Sequence, residues 1–141
     1  MRIAVLALAA GEDSPLTERQ KCLFREGAAL FNRSRFFECH EVLEELWLES
    51  SGERKLFLQG LIQIAVALHH FGNRNFLGAR RLLEAGAEKI SRHAHEAPPM
   101  NVGALQTALV PLRQQLRSGE IAAGLPMPQI IVEAISETSA G

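Results

Sequence analysis

The sequence contains no tyrosine, a single tryptophan and only two cysteines. Tyrosine and tryptophan are the aromatic residues that combine an apolar body with a polar tip at interfaces, so the seven phenylalanines are expected mainly in the core. Cys22 and Cys39 are too few for a disulfide framework, and their spacing does not match a C-x-x-C zinc or redox motif. We therefore expect two free thiols in a reducing, cytoplasmic compartment.

Long apolar runs and a surplus of one charge sign are also missing. The formal net charge is −1, which provides no overall field for binding nucleic acid or an anionic membrane. No segment reaches the about 20 apolar residues of a membrane-spanning helix. Neither a nucleic-acid partner nor a membrane association is expected, and no G-x-S-x-G elbow or glycine-rich phosphate loop indicates a familiar type of catalysis.

The first residues differ in character from the rest of the chain. Residues 1–11 are apolar apart from Arg2, but the apolar run is short for a secretion signal. We interpret residues 1–13 as a disordered leader or a short extended segment, with a misassigned start and a cleaved signal as alternatives. Residues 14–141 are expected to form one helical domain, because this length suits a single core.

Apolar residues recur at helical spacing along most of the remaining chain, without strand-type alternation. Short polar or glycine-containing breaks separate the helical segments, and such short connections favour antiparallel neighbours. The predicted helices span residues 15–31, 35–50, 53–71, 75–93, 102–117 and, as a short last helix, 129–135. The expected fold class is all-α: a compact bundle of antiparallel helical hairpins with about five to six helices.

A weak internal repeat has a period of forty residues. Residues 31–36 read FNRSRF and residues 71–76 read FGNRNF, so a polar turn is flanked by phenylalanines in both. Helix, short turn, helix is the pattern of helical-hairpin arrays such as tetratricopeptide repeats. Two units are fewer than the three or so that a solenoid needs, which favours a compact bundle.

Two helices carry polar side chains where apolar ones are expected. On the second helix, His40 falls inside the apolar arc and Glu44 lies on its edge. On the third helix, Gln59, Gln63 and His70 share one face of a segment without formal charge. Counting outward from the connecting turn places His40 level with Gln63 or Ile64 and Glu44 level with Gln59 or Gly60. His70 lies further along. The sequence therefore predicts a buried polar layer between these two helices.

This layer permits two interpretations. In the structural one, its groups satisfy one another and fix the helix register. In the functional one, His40 and Glu44 line a small pocket as metal ligands or as an acid–base pair, with the two glutamines in support and His70 as a further weak metal candidate. A divalent metal is then the implied cofactor, although H-x-x-x-E is not the H-E-x-x-H motif. Cys39 and His40 point about 100° apart on a helix, which disfavours a nucleophilic dyad.

Charged residues are distributed unevenly. Residues 36–53 contain six Glu and no Lys or Arg, whereas residues 54–93 contain seven Lys or Arg and two Glu. One interpretation is solvated helix faces, with Arg80 and Glu84 paired one turn apart. The other is self-association through complementary faces, or docking of a charged protein partner.

Two further groups of residues have simpler interpretations. His93, His95 and Glu96 precede a Pro-Pro linker and are expected on the solvated surface. Gly60 is expected to let the backbones of the second and third helices approach closely beside the polar layer.

Three segments together resemble a known family. They read FFECHEVLEELW at residues 36–47, QGLIQ at 59–63 and NFLGA at 75–79. The combined pattern resembles the small helical prokaryotic family called domain of unknown function 309, over about residues 24–92. This resemblance implies an all-α bundle but no reaction, because the family is functionally uncharacterised.

The family motif falls on positions that helix geometry also singles out. In this chain they are His40, Glu41, Glu44, Trp47, Gln63, Gly78 and Ala79. Trp47, Gly60 and Gly78 are expected to have packing roles, because tryptophan fills volume and glycine permits close approach.

Two functions remain as hypotheses. The leading one is a binding or scaffold module that presents a groove or a charged face to a protein partner or to another copy of the chain. The alternative is a metal-dependent or acid–base enzyme built around His40 and Glu44, so enzymatic activity is left open.

Overall fold

The computed structural model describes residues 15–133, and this part of the chain is helical with irregular connections. Its α-helices are α1 (Glu18–Asn32), α2 (Phe36–Leu48), α3 (Gly52–Gly72), α4 (Phe76–Arg92) and α5 (Val102–Ser118), with a 3₁₀ turn at Ala94–Glu96. The expected all-α bundle is therefore confirmed, with five α-helices in the part described. The expected leader, residues 1–13, lies outside the described residues.

The two ends of the helical region differ from the prediction. Helix α1 begins later than expected, because the Thr17 hydroxyl accepts the Gln20 N–H at 3.1 Å and the Gln20 side chain accepts the Thr17 N–H at 2.9 Å. The prediction of a short last helix is wrong over residues 129–133, which are not helical. There the Ile131 carbonyl accepts the Asn101 N–H at 2.9 Å, so the segment pairs with a distant part of the chain.

The last described segment is also attached to the end of α1. The Asn32 amide nitrogen donates to the Ile130 carbonyl at 2.9 Å, and the Ile130 N–H donates to the Asn32 side-chain oxygen at 2.7 Å. One side chain thus satisfies both backbone groups of a residue 98 positions further on.

The forty-residue repeat is a structural repeat. The turns after α1 and α3 contain Ser34 with φ 61° and Arg74 with φ 63°, the only non-glycine residues with positive φ in the described part. The N–H that follows each donates to an equivalent carbonyl, Arg35 to Leu30 at 2.9 Å and Asn75 to His70 at 2.8 Å. The flanking phenylalanine rings also pack alike, with centroids 5.2 Å apart in Phe31–Phe36 and 5.4 Å apart in Phe71–Phe76.

Contacts at both ends of α2 and α3 show that these helices run antiparallel. The ring of Phe37, at the start of α2, lies 5.3 Å from that of His69, at the end of α3. At the opposite end, the Lys55 ammonium lies 4.3 Å from the centroid of the Trp47 ring. Trp47 lies at this interface and is partly buried against the core.

The core is formed by apolar side chains from all five helices. Its largest fully buried members are Phe24, Phe31, Phe57, Leu43, Leu46, Leu58, Leu61, Ile64, Leu68, Leu83, Ile90 and Leu105. The expectation that phenylalanines are internal is wrong for Phe37, whose exposed fraction is 50%.

Helices α3 and α4 touch through their backbones at a pair of glycines. A methyl group at Gly60 would lie 3.0 Å from the Gly86 carbonyl oxygen, and one at Gly86 would lie 2.7 Å from the Gly60 carbonyl oxygen. Gly60 was expected to face α2, and this is wrong: it faces α4. Neither position has room for a side chain, because it is obstructed by backbone atoms of the other helix and also by side-chain atoms of Lys89, Ile90 or Ile64.

We expect Gly86→Ala to lower the free energy of unfolding by about 1–3 kcal/mol, the usual cost of overpacking a dense core. Gly72→Ala is the matched control, since no atom lies within 4 Å of a methyl group there. Urea unfolding followed by circular dichroism measures both. Equal stability of the two variants would contradict the backbone contact.

Candidate functional site

His40 and Glu44 lie one turn apart on α2 and face each other. The His40 Nδ1 atom is 2.8 Å from the Phe37 carbonyl oxygen, and since a carbonyl can only accept, Nδ1 carries the hydrogen. His40 Nε2 then lies 3.8 Å from a Glu44 carboxylate oxygen. The histidine side chain is 19% exposed and the glutamate side chain 55% exposed.

The side chains predicted to form a buried polar layer between α2 and α3 do not hydrogen-bond to one another across these helices in the described structure. Glu44 was expected at a buried edge, but it is mostly in solvent. Within residues 15–133 no hydrogen bond joins His40 or Glu44 to Gln59 or Gln63. Gln63 Oε1 is instead buried without a hydrogen-bond partner in the described structure, as is the Trp47 indole nitrogen.

His70 is placed apart from His40, at the turn between α3 and α4. Its carbonyl accepts the Asn75 N–H, and the Asn75 side chain in turn accepts the Gly78 N–H at 3.0 Å to cap α4. A methyl group at Gly78 would lie 2.7 Å from the Asn75 amide nitrogen, so glycine leaves room for this cap.

The described residues do not assemble a metal-binding or nucleophilic group around His40. No set of three or more His, Cys, Asp or Glu side chains in residues 15–133 is arranged to hold a metal ion. Cys39 is fully buried, and burial raises the pKa of its thiol to about 12, far from the range of a reactive thiolate.

A different surface of α2 combines exposed apolar and acidic side chains. We call it the α2 stripe: Phe37, Glu41, Glu44 and Leu48. Their spacing of four, three and four residues places them on one side of the helix. Phe37 is 50% exposed and Leu48 is 69% exposed, so large apolar side chains end the stripe on both sides of the two carboxylates.

The carboxylates of the α2 stripe differ from the other glutamates of α2 and its C-cap. Glu38 pairs with Arg35, while Glu45 and Glu49 both face Arg19. Glu41 has no ionic partner in the described part of the chain, and Glu44 faces only His40. The sequence already showed the excess of Glu here, but which of them lack partners depends on the position of α1.

A second polar cluster was missed by sequence reasoning. His93 Nδ1 and His95 Nε2 each lie 3.0 Å from the same Glu53 oxygen, which joins the end of α4 to the start of α3. The hydrogen bond from His93 is the main cause that holds the pKa of Glu53 below its ordinary value. The expectation of solvated surface is thus wrong for His93, whose side chain is only 13% exposed.

Glu84 also differs from the prediction. It was expected to pair with Arg80 on its own helix, but it binds Arg113 and Arg117 of α5, with closest approaches of 2.8 and 3.0 Å. The hydrogen bond from Arg113 is the main reason that the pKa of Glu84 falls to about 2. Arg80 is left exposed and without an ionic partner in the described structure.

The lowered pKa of Glu84 predicts a pH dependence of stability. Because the folded pKa is about 2 and the ordinary value is 4.5, the ion pairs stabilise the fold above about pH 4.5, and this stabilisation is lost as the pH falls towards 2. The difference in free energy of unfolding between the wild type and Glu84→Gln should shrink across that interval. Chemical unfolding at a series of pH values measures it, and a constant difference would contradict the assignment.

Variants at His40 and Glu44 test their structural roles. His40→Ala removes the hydrogen bond to Phe37 and should lower the free energy of unfolding by about 1 kcal/mol. Glu44→Gln should change it by less than about 0.5 kcal/mol, because the side chain is exposed. Thermal and urea unfolding compare the two variants. A loss of unfolding free energy in Glu44→Gln as large as that in His40→Ala would instead support the predicted buried polar layer.

None of the helices in residues 15–133 is long and apolar enough to cross a membrane. This holds also for α3, which has 21 residues.

Comparison with known proteins identifies relatives for the central part of the chain. Residues 24–82 match the family described as "Domain of unknown function (DUF309)", which confirms the resemblance over α2, α3 and their neighbours. "Uncharacterized protein YpuF" of Bacillus subtilis (strain 168) is 46% identical over 63 residues, 44% of this chain and 36% of that protein. An "Uncharacterized protein" of Aquifex aeolicus (strain VF5) is 40% identical over 58 residues, 40% of this chain and 17% of that protein.

The chain thus spans about a third of the first relative and under a fifth of the second. The matched segment contains the α2 stripe and both turns of the forty-residue repeat. The similarity assigns no reaction, since neither the family description nor the names of these relatives states one.

Proposed function

We propose that the chain is a helical-hairpin binding module that docks a protein segment on the α2 stripe. The observation that carries this proposal is the pair of carboxylates at Glu41 and Glu44, without a Lys or Arg partner in the described residues, between the exposed Phe37 and Leu48. Apolar anchors supply most of the affinity of such contacts, and charges between them select the partner and its orientation.

The dimensions of the stripe indicate the shape of the partner. Phe37 and Leu48 are eleven positions apart, which is about 16 Å along a helix. A helix of about three turns covers this length. The complementary segment has at least one apolar side chain with Lys or Arg about one turn from it, and it binds by laying one face along α2.

The alternative, an acid–base or metal-dependent enzyme, has less support. His40 Nε2 faces Glu44 at 3.8 Å, but no third potential ligand in residues 15–133 joins them. The Glu44 side chain is also 55% exposed, so it does not line an enclosed pocket with His40.

We also propose a cytoplasmic location for the module. Both cysteines are free thiols, Cys22 exposed and Cys39 buried, as is usual in a reducing compartment.

A designed helical peptide tests the docking function directly. Its two leucines are spaced as Phe37 and Leu48 are, and lysines lie between them; a second peptide with glutamates in place of the lysines is the control. We expect the lysine peptide to bind the full chain in isothermal titration calorimetry and the glutamate peptide to bind far more weakly. Equal binding of both peptides, or of neither, would reject the proposed face.

Variants of the chain locate the binding on α2. Phe37→Ala should weaken binding of the lysine peptide about tenfold. A tenfold change corresponds to about 1.4 kcal/mol of binding free energy, which is typical for the loss of one apolar anchor. Val110→Ala on α5 is the matched control, because this side chain is also exposed, at 44%. Circular dichroism verifies that both variants are folded. Equal losses from the two variants would place the peptide elsewhere.

A further inference from the structure

The forty-residue repeat gives α4 an exposed surface that corresponds to the α2 stripe. Leu77 lies at the position equivalent to Phe37 and is 59% exposed. Arg81 lies at the position equivalent to Glu41, and Arg80 lies one residue before it; both are exposed. We call Leu77, Arg80 and Arg81 the α4 stripe. An apolar side chain one turn before a charge is therefore common to both stripes, and the sign of the charge is opposite.

The charges of the α4 stripe are not paired within the described part of the chain. Arg80 and Arg81 have no ionic partner in residues 15–133. Glu84 occupies the position equivalent to Glu44. It forms ion pairs with Arg113 and Arg117 rather than with the arginines of the α4 stripe. The α4 stripe thus presents two positive charges, and the α2 stripe presents two negative charges.

The similar turns give the two stripes comparable positions on their hairpins. Each stripe begins three residues after the residue with positive φ, Ser34 or Arg74, and one residue after the buried or partly buried phenylalanine that starts the helix. Both helices pack against α3, and no ion pair joins α2 to α4 in the described structure. The complementary charges are therefore available to another molecule.

We propose that the partner of the α2 stripe is a second copy of this chain, which docks through its α4 stripe. This inference rests on the proposed docking function and names its partner. Glu41 and Glu44 of one copy face Arg80 and Arg81 of the other, while Phe37 and Leu77 add apolar contact. Because the two surfaces differ, the contact is formed twice in a closed dimer or repeats head to tail in a longer assembly.

Charge-reversal variants of the full chain test the pairing by sedimentation velocity at low salt. Glu41→Arg with Glu44→Arg makes both stripes basic, and Arg80→Glu with Arg81→Glu makes both acidic. Each variant alone should lose association, with an apparent dissociation constant raised about tenfold or more by like charges. An equimolar mixture should regain it, because opposite stripes then meet. High salt should weaken the wild-type association, since exposed charges are screened.

Glu26→Arg with Glu120→Arg is the control, because it reverses two exposed glutamates outside both stripes. It should associate as the wild type does, and circular dichroism verifies that all variants are folded. A wild type that stays monomeric at every concentration, or a mixture that fails to regain association, would overturn the self-docking. If the chain is monomeric but still binds the lysine peptide, the docking function stands and only its partner is wrong. If it neither associates nor binds the peptide, both proposals fail.

Discussion

The backbone contact between Gly60 and Gly86 is the constraint on which the arrangement of the bundle depends. It brings α3 and α4 so close that each carbonyl oxygen occupies the space of a side chain on the other helix. Ile64 and Ile90 then pack around the contact, and both are fully buried. Helix α3 becomes the central element, with α4 on one side and α2 on another, so the two halves of the repeat are held at fixed positions relative to it.

The two halves of the repeat use similar positions in different ways. In α4, Glu84 is held by two arginines of α5 and contributes to the packing of the bundle. In α2, the equivalent Glu44 has only His40 beside it, at 3.8 Å, and remains mostly in solvent. A duplicated hairpin thus acquires one surface that is joined to a further helix and one that is left for other contacts, although the turns that begin both helices have the same backbone geometry.

What could be predicted from the sequence was mainly local. Apolar periodicity and the polar turns identified five helices to within about three residues, and FNRSRF and FGNRNF identified the repeat. The errors concern contacts between distant parts of the chain. A helical wheel does not say which of two neighbours Gly60 faces, and the partners of Glu84 lie 29 and 33 residues further on. Likewise, the helical wheel placed Glu44 at the edge of the apolar arc of α2. The buried residues of this helix are instead Phe36, Cys39, Leu43 and Leu46.

The attachment of Ile130 to Asn32 has a consequence for the synthesis of the protein. Contacts between consecutive helices are close in sequence and can form while the chain is still emerging from the ribosome. The two hydrogen bonds of Asn32 span 98 residues, so they can form only after nearly the whole described chain has left the exit tunnel. During translation the end of α1 therefore stays open to water, and the nascent hairpins must persist without this closure until the final segment arrives.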